Sequence, residues 1–69
     1  MLLPLNSLPE GSSGVVELFN LEGTEIETVK RLNLEIGSCI ELNDGSYSID
    51  GKALQLSSEM ASLILIRTQ

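Results

Sequence analysis

Apolar and polar positions change rhythm twice along this chain, and the changes mark its elements. From Gly14 to Asn20, GVVELFN, the two classes alternate with the period of a strand. Straight alternation puts Val16, Leu18 and Asn20 on one face and Val15, Glu17 and Phe19 on the other. From Thr24 to Leu32 the rhythm becomes helical: Ile26, Val29 and Leu32, with Leu34 beyond them, recur near the helical repeat and are expected to face the core. TEIE at its start reads as a capping box, the Thr24 hydroxyl accepting from the Glu27 amide and the Glu27 side chain reaching back. Glu25 and Glu27 stand at the positive end of the helix dipole, Lys30 and Arg31 at the negative end. Glu27 and Arg31 add an i, i+4 pair.

The second change falls in RLNLEIGSCI, residues 31–40, which opens as the tail of a helix and closes as a strand. Gly37 is the expected joint, since glycine takes a positive φ at little cost. Leu34 and Ile36 are expected to tuck that turn against the core. SCIELN then alternates, and Asp44-Gly45 is a strong two-residue hairpin signal. That turn pairs Asn43 with Ser46, Leu42 with Tyr47 and Ile40 with Ile49, so turn and pattern agree on register. Asp50-Gly51 is a second such turn, pairing Ile49 with Lys52, Tyr47 with Leu54 and, at the open end, Gly45 with Leu56. Lys52 is an awkward core partner, which leaves a looser turn open there.

SSEMAS, residues 57–62, breaks the alternation: Ser57 or Ser58 can cap a single helical turn, with Met60 or Ala61 pointing inward. LILIR, 63–67, is the final strand. Residues 1–13, MLLPLNSLPEGSS, hold both prolines and read as a lead-in with one short turn at Asn6–Ser7–Leu8, pinned by Leu5 and Leu8. The sum is mainly β with one α-helix. Five short strands, with a helical turn before the last, predict a small SH3-like β-barrel: one domain over 1–69, with 14–67 as the barrel.

Composition narrows the function more than it names it. With 69 residues, 42% apolar and mostly aliphatic, the chain can bury one small core. One Phe, one Tyr and no Trp suit an aromatic-lined peptide groove poorly. Ten acids against four bases, a net charge of −6, argue against a nucleic-acid footprint and against docking on an anionic leaflet. The charge serves solubility, and it also suits steering toward a basic partner. MLLPLNSLPEG has no basic n-region and its apolar run breaks at Pro4, so no signal peptide is expected. No stretch approaches the roughly 18 apolar residues of a membrane span. The expected location is the cytoplasm.

The residues of catalysis are scarce. There is no His, the commonest general base and transition-metal ligand. The single Cys39 can form neither an internal disulfide nor a CxxC zinc site. Its neighbour Glu41 gives no reason for thiol reactivity, so Cys39 reads as structural. EGSSG precedes a strand and lacks the lysine of a phosphate loop. NDGSYSID lacks the spacing of a calcium loop, so Asp44 and Asp50 read as turn residues. No catalytic, cofactor or metal residue is assigned, and the chain reads as a binding or regulatory module rather than an enzyme. Weak iron(II) or manganese(II) binding through scattered carboxylates stays open.

RLNLEIGSCIEL, followed by YSIDGKALQLSSEMASLILI, resembles the FeoA family. That family has a helix ending in a Leu-x-x-Leu-Gly-Leu-x-x-Gly-like run, then a strand, then a Gly before an ALxxxxAxxIxV-like tail. Leu32, Leu34, Gly37, Ile40, Ile49, Gly51, Ala53, Leu54, Leu56, Glu59, Ala61, Ile64 and Ile66 fall in step with it. LPEGSSGVVELF is also similar to the family's opening. The resemblance implies an SH3-like protein of the cytosol that accompanies FeoB, the membrane ferrous-iron transporter with a cytosolic GTPase domain. It further implies a non-catalytic accessory role through protein–protein contact. The same fold occurs as the C-terminal domain of iron- and manganese-dependent repressors. Two departures stand out: a shorter hairpin loop between Leu42 and Tyr47, and a helix poorer in arginine.

The candidate contact residues are Lys30, Arg31, Asn33 and Glu35, on the exposed helix and its joint; the plain alternative is a solvated charged face. The competing functional reading is a generic SH3-like peptide-binding module or a detached metal-regulator domain. Exposed strand edges also leave a homodimer open.

Overall fold

Each of the two Asp-Gly turns sits where the backbone must turn left-handed twice in succession. Asp44 has φ 54° and Gly45 φ 75°; Asp50 has φ 52° and Gly51 φ 79°. These are the positive values a two-residue hairpin turn requires, and Asp tolerates them better than most side chains. The computed structural model describes residues 2–68. In it β3 (Cys39–Asn43), β4 (Ser46–Ile49) and β5 (Lys52–Leu54) form the meander. Ile40 pairs with Ile49, Leu42 with Tyr47 and Asn43 with Ser46, as the turns predict. Ile49 pairs with Lys52 and Tyr47 with Leu54, so the second turn is tight. Lys52 resolves its conflict by sitting exposed at the end of β5. The expected Gly45–Leu56 pair does not form, because β5 ends at Leu54.

The rest of the sheet is less regular. Among the described residues six strands, not five, form one antiparallel sheet in the order β1-β6-β2-β3-β4-β5. The additional strand is β1, Leu2–Pro4, inside the expected lead-in. It pairs with β6 (Ile64–Thr68) through Leu2–Arg67, Leu3–Ile66 and Pro4–Leu65. Three residues ending in proline carry no readable period. They become a strand only because β6 lies beside them, and an edge is where a sheet tolerates proline. A 3-10 turn at Leu5–Ser7 follows, one residue earlier than expected, closed by the Leu8 amide donating to the Leu5 carbonyl at 3.0 Å. Leu5 and Leu8 are buried as expected.

β2 (Ser13–Phe19) departs from straight alternation. Val16 pairs with Ile66 and Leu18 with Leu65, which leaves Glu17 without a partner. This β-bulge resets the faces by one residue. Leu18, expected on one face with Val16, is 49% exposed while Val16 is buried, and Phe19, expected on the opposite face from Val16, packs against the core. Gly14 is buried where β2 presses on β6: a Cβ there would stand 2.8 Å from Ile66 Cδ1 and 3.2 Å from the Arg67 carbonyl.

α1 spans Thr24–Arg31, one residue shorter than expected. Its cap residue is Gly23, with no side-chain capping bond, so the predicted Thr24–Glu27 box does not form. The Glu25 carboxylate instead accepts from the Glu22 amide at 3.1 Å, performing half of such a box two residues earlier. The joint is double. Asn33 at φ 60° ends the helix: its amide donates to the Lys30 carbonyl and the Leu34 amide to the Val29 carbonyl. Those two bonds are a Schellman motif, sealed by buried Val29 and Leu34. Gly37 at φ 93° then closes a separate turn, in which the Ser38 amide donates to the Glu35 carbonyl. Ile36, expected to plug this turn, is 58% exposed, and Ile26, expected in the core, is 42% exposed. An eight-residue helix buries only its last turn here.

The core is Leu5, Leu8, Val16, Val29, Leu34, Ile40, Leu54, Ala61, Ile64 and Ile66. Ala61 belongs to α2 (Ser58–Ser62), where the Ser57 hydroxyl accepts from the Met60 amide at 3.1 Å. One further contact ties the segment before β2 to the turn between β3 and β4. The Glu10 carboxylate accepts from the Asp44 amide and, at 2.9 Å, from the Gly45 amide, binding the lead-in to the first hairpin turn.

Candidate functional site

The C-terminal half of α1 stands between two grooves, and three of the four candidate contact residues divide between them. Helical spacing puts Ile26, Val29 and Lys30 toward β2, since i, i+3 and i+4 share a face. There they line an apolar groove of about 310 Å3 with Phe19, Leu21 and Leu34. Lys30 is its one charged lining residue. Arg31 and Asn33 turn the other way. With Leu32 they face Ile49, Asp50, Lys52 and Leu54 across a groove of about 300 Å3 between the helix end and the second hairpin. Glu35 lines neither groove; it is exposed in the Gly37 turn, where its amide donates to the Ser38 hydroxyl at 3.2 Å.

So the structure brings Arg31 and Asn33 together, sets Lys30 on the opposite side of the same helix turn, and leaves Glu35 beyond both. Asn33 is required by the backbone at the Schellman position whatever else it touches. Sequence reasoning overlooked Lys52. Its signal was its mismatch with Ile49 in the hairpin, which the structure resolves by placing it beside Arg31. Three of the chain's four bases, Lys30, Arg31 and Lys52, therefore cluster around one helix end on a molecule of net charge −6.

Little else in the surface is chemically pointed. Among the described residues no three of Asp, Glu and Cys gather as a metal-holding cluster. Cys39 is half-buried on β3, opposite Val15. No helix of the described residues is long and apolar enough to cross a membrane. An apolar slot with a cation at its rim thus stands beside a second groove lined by two bases and one acid, Asp50.

Six strands in one antiparallel sheet, a short helix after the second and a helical turn before the last define a small SH3-like β fold. Within that class the chain has the fold of the FeoA proteins. The crystal structure of an iron uptake regulatory protein, FeoA, superposes with a TM-score of 0.85 at 19% identity, over 100% of this chain and 99% of that one. The solution structure of iron(II) transport protein A from Clostridium thermocellum superposes with a TM-score of 0.79 at 26% identity, over 96% of this chain and 40% of that one. A manganese-dependent transcriptional repressor superposes with a TM-score of 0.89 at 16% identity, over 99% of this chain and 42% of its own. This chain thus spans about two-fifths of the last two. No family model matches the sequence, and no curated protein matches it.

Proposed function

We propose that this chain is a non-catalytic accessory protein of ferrous-iron uptake, acting by contact with another protein. The end-to-end superposition on FeoA, in fold and in length, carries this reading. The absence of His and the single half-buried Cys agree with a role outside catalysis. In this reading the partner is the cytosolic, GTPase-bearing region of a FeoB-type transporter, and the protein works in the cytoplasm. The contact is the end of α1 and the joint that follows it: Lys30, Arg31, Asn33 and Glu35, extended by Lys52. Its partner segment presents an apolar side chain to the groove beside Phe19 and carboxylates to the three bases.

The test is a titration of isotope-labelled protein with that soluble region, followed by NMR in GDP and in a GTP analogue. Shifts are expected in residues 29–37 and 52–54, and Arg31→Glu should weaken the binding. Shifts elsewhere would discard this contact and keep the function. No shifts in either nucleotide would overturn the reading.

The superposition on the repressor favours a second reading, a metal-regulator domain. Anaerobic calorimetry with iron(II) and manganese(II) separates the two: heat of specific binding supports the regulator, and its absence removes it.

A further inference from the structure

The outer face of β1, β6 and β2 is unlike the rest of this acidic surface. Directly opposed strand residues share a face. The pairings therefore align Leu2, Arg67 and Val15 in one row, and Pro4, Leu65 and Leu18 in the next. Their chain neighbours Val16, Ile64 and Ile66 are fully buried on the other side of the sheet, so both rows point outward. Leu2 and Leu18 are each 49% exposed. Ile36, 58% exposed, lies one residue before Gly37, whose amide donates to the Val16 carbonyl at 2.8 Å beside the bulge. Of the four large apolar side chains most exposed in the described residues, Leu2 and Leu18 thus lie on this one face, beside the half-buried Val15, Pro4 and Leu65, while Ile26 lies on the helix and Ile36 in the turn before β3. The charges in these two rows and the bulge are Glu17 and Arg67, and they are paired at 3.1 Å.

We propose that this face docks a second copy of the chain. Soluble proteins seldom leave clustered apolar side chains uncovered without a partner for them. The partner's chemistry follows from charge. Two copies, each at −6, repel one another over most orientations. This face is locally neutral, so a copy meets the least repulsion here. It also carries one acid and one base, which makes it self-complementary: across a two-fold axis, Glu17 of one copy can face Arg67 of the other. A basic partner would favour the acid-rich surface, and an acidic partner the groove beside Arg31 and Lys52. The docking is face to face. β1 is three residues long and ends in Pro4, which blunts edge-to-edge pairing along that side. The inference is independent of the iron-uptake reading, whose contact lies around α1.

Sedimentation equilibrium on the full chain, from about 20 µM to about 1 mM, tests it through the mass-action dependence of a dimer. The average mass should rise toward twice the monomer value. It should rise further in high salt, because screening removes the repulsion between like-charged copies. Leu18→Glu should weaken association by at least about tenfold, as loss of an apolar anchor does, with the far-UV spectrum unchanged. Ile26→Glu, on the helix, should leave it intact. Glu17→Arg alone should weaken the dimer, and the exchange of Glu17→Arg with Arg67→Glu should restore it. A chain that stays monomeric throughout, or a dimer that I26E breaks and L18E does not, overturns the proposal.

Discussion

The meander β3–β4–β5 and the arm β1–β6–β2 are built from the same kind of residue, yet they obey different rules. In the meander, partners lie within about a dozen residues of each other, and two Asp-Gly turns fix the register before any tertiary contact exists. In the arm, β2 meets β6 across about fifty residues, and β1 meets β6 across more than sixty. No turn sets that register. Packing sets it: Val16 and Phe19 both reach the core because Glu17 is left over as a bulge. Local pairing preserves the sequence alternation, and long-range pairing spends a residue to satisfy the core.

Paired deletions give the largest test of this contrast. Removing Ser48 moves Ile49 to the outer face and uncouples both Asp-Gly turns from their strands. For a domain whose whole stability is about 3–10 kcal/mol at this length, the expected outcome is an unfolded chain by circular dichroism. Removing Glu17 leaves Val16 inward, Leu18 outward and Phe19 inward, so the chain should stay folded at a modest cost in urea midpoint. Equal damage from both deletions would break the comparison.

Gly14→Ala tests the closest approach in the arm. The new Cβ meets the tip of Ile66, which can turn, and the Arg67 carbonyl, which cannot. A loss of about 1–3 kcal/mol is expected by urea unfolding, the range for overpacking.

At the joint between the regions, Asn33→Val should cost about 1–2 kcal/mol, because a β-branched residue resists φ 60°. Asn33→Gly should cost nothing, and it should leave partner binding intact if Asn33 serves the backbone alone. Thermal unfolding read beside the NMR titration separates the two roles.

The smallest effect belongs to Glu10, which ties the arm's lead-in to the meander's first turn. Glu10→Ala should lose about 0.5–1.5 kcal/mol, the usual worth of such hydrogen bonds. Hydrogen exchange should quicken at Asp44 and Gly45 and stay unchanged at Asp50 and Gly51.

The candidate site was partly legible for the same reasons. Lys30 and Arg31 are visible as the basic end of a short helix, and local spacing places them on adjoining faces. Lys52 was hidden, because only the packing of the second hairpin against the helix end brings it beside Arg31. The FeoA-like order of glycines and aliphatics was readable across nearly the whole chain, and the fold agrees with it.

What the sequence by itself determined is what short-range physics controls: both hairpin turns and their register, the existence of α1, the serine-capped turn of α2, and Leu5 and Leu8 as anchors. The tertiary structure alone decided the bulge at Glu17, the exposure of Leu18 and Ile36, and the strand at Leu2–Pro4. Each of these depends on a partner distant in sequence or on competition for a place in a small core. A pattern of alternating residues records which side chains prefer burial; only the assembled sheet determines which of them find room.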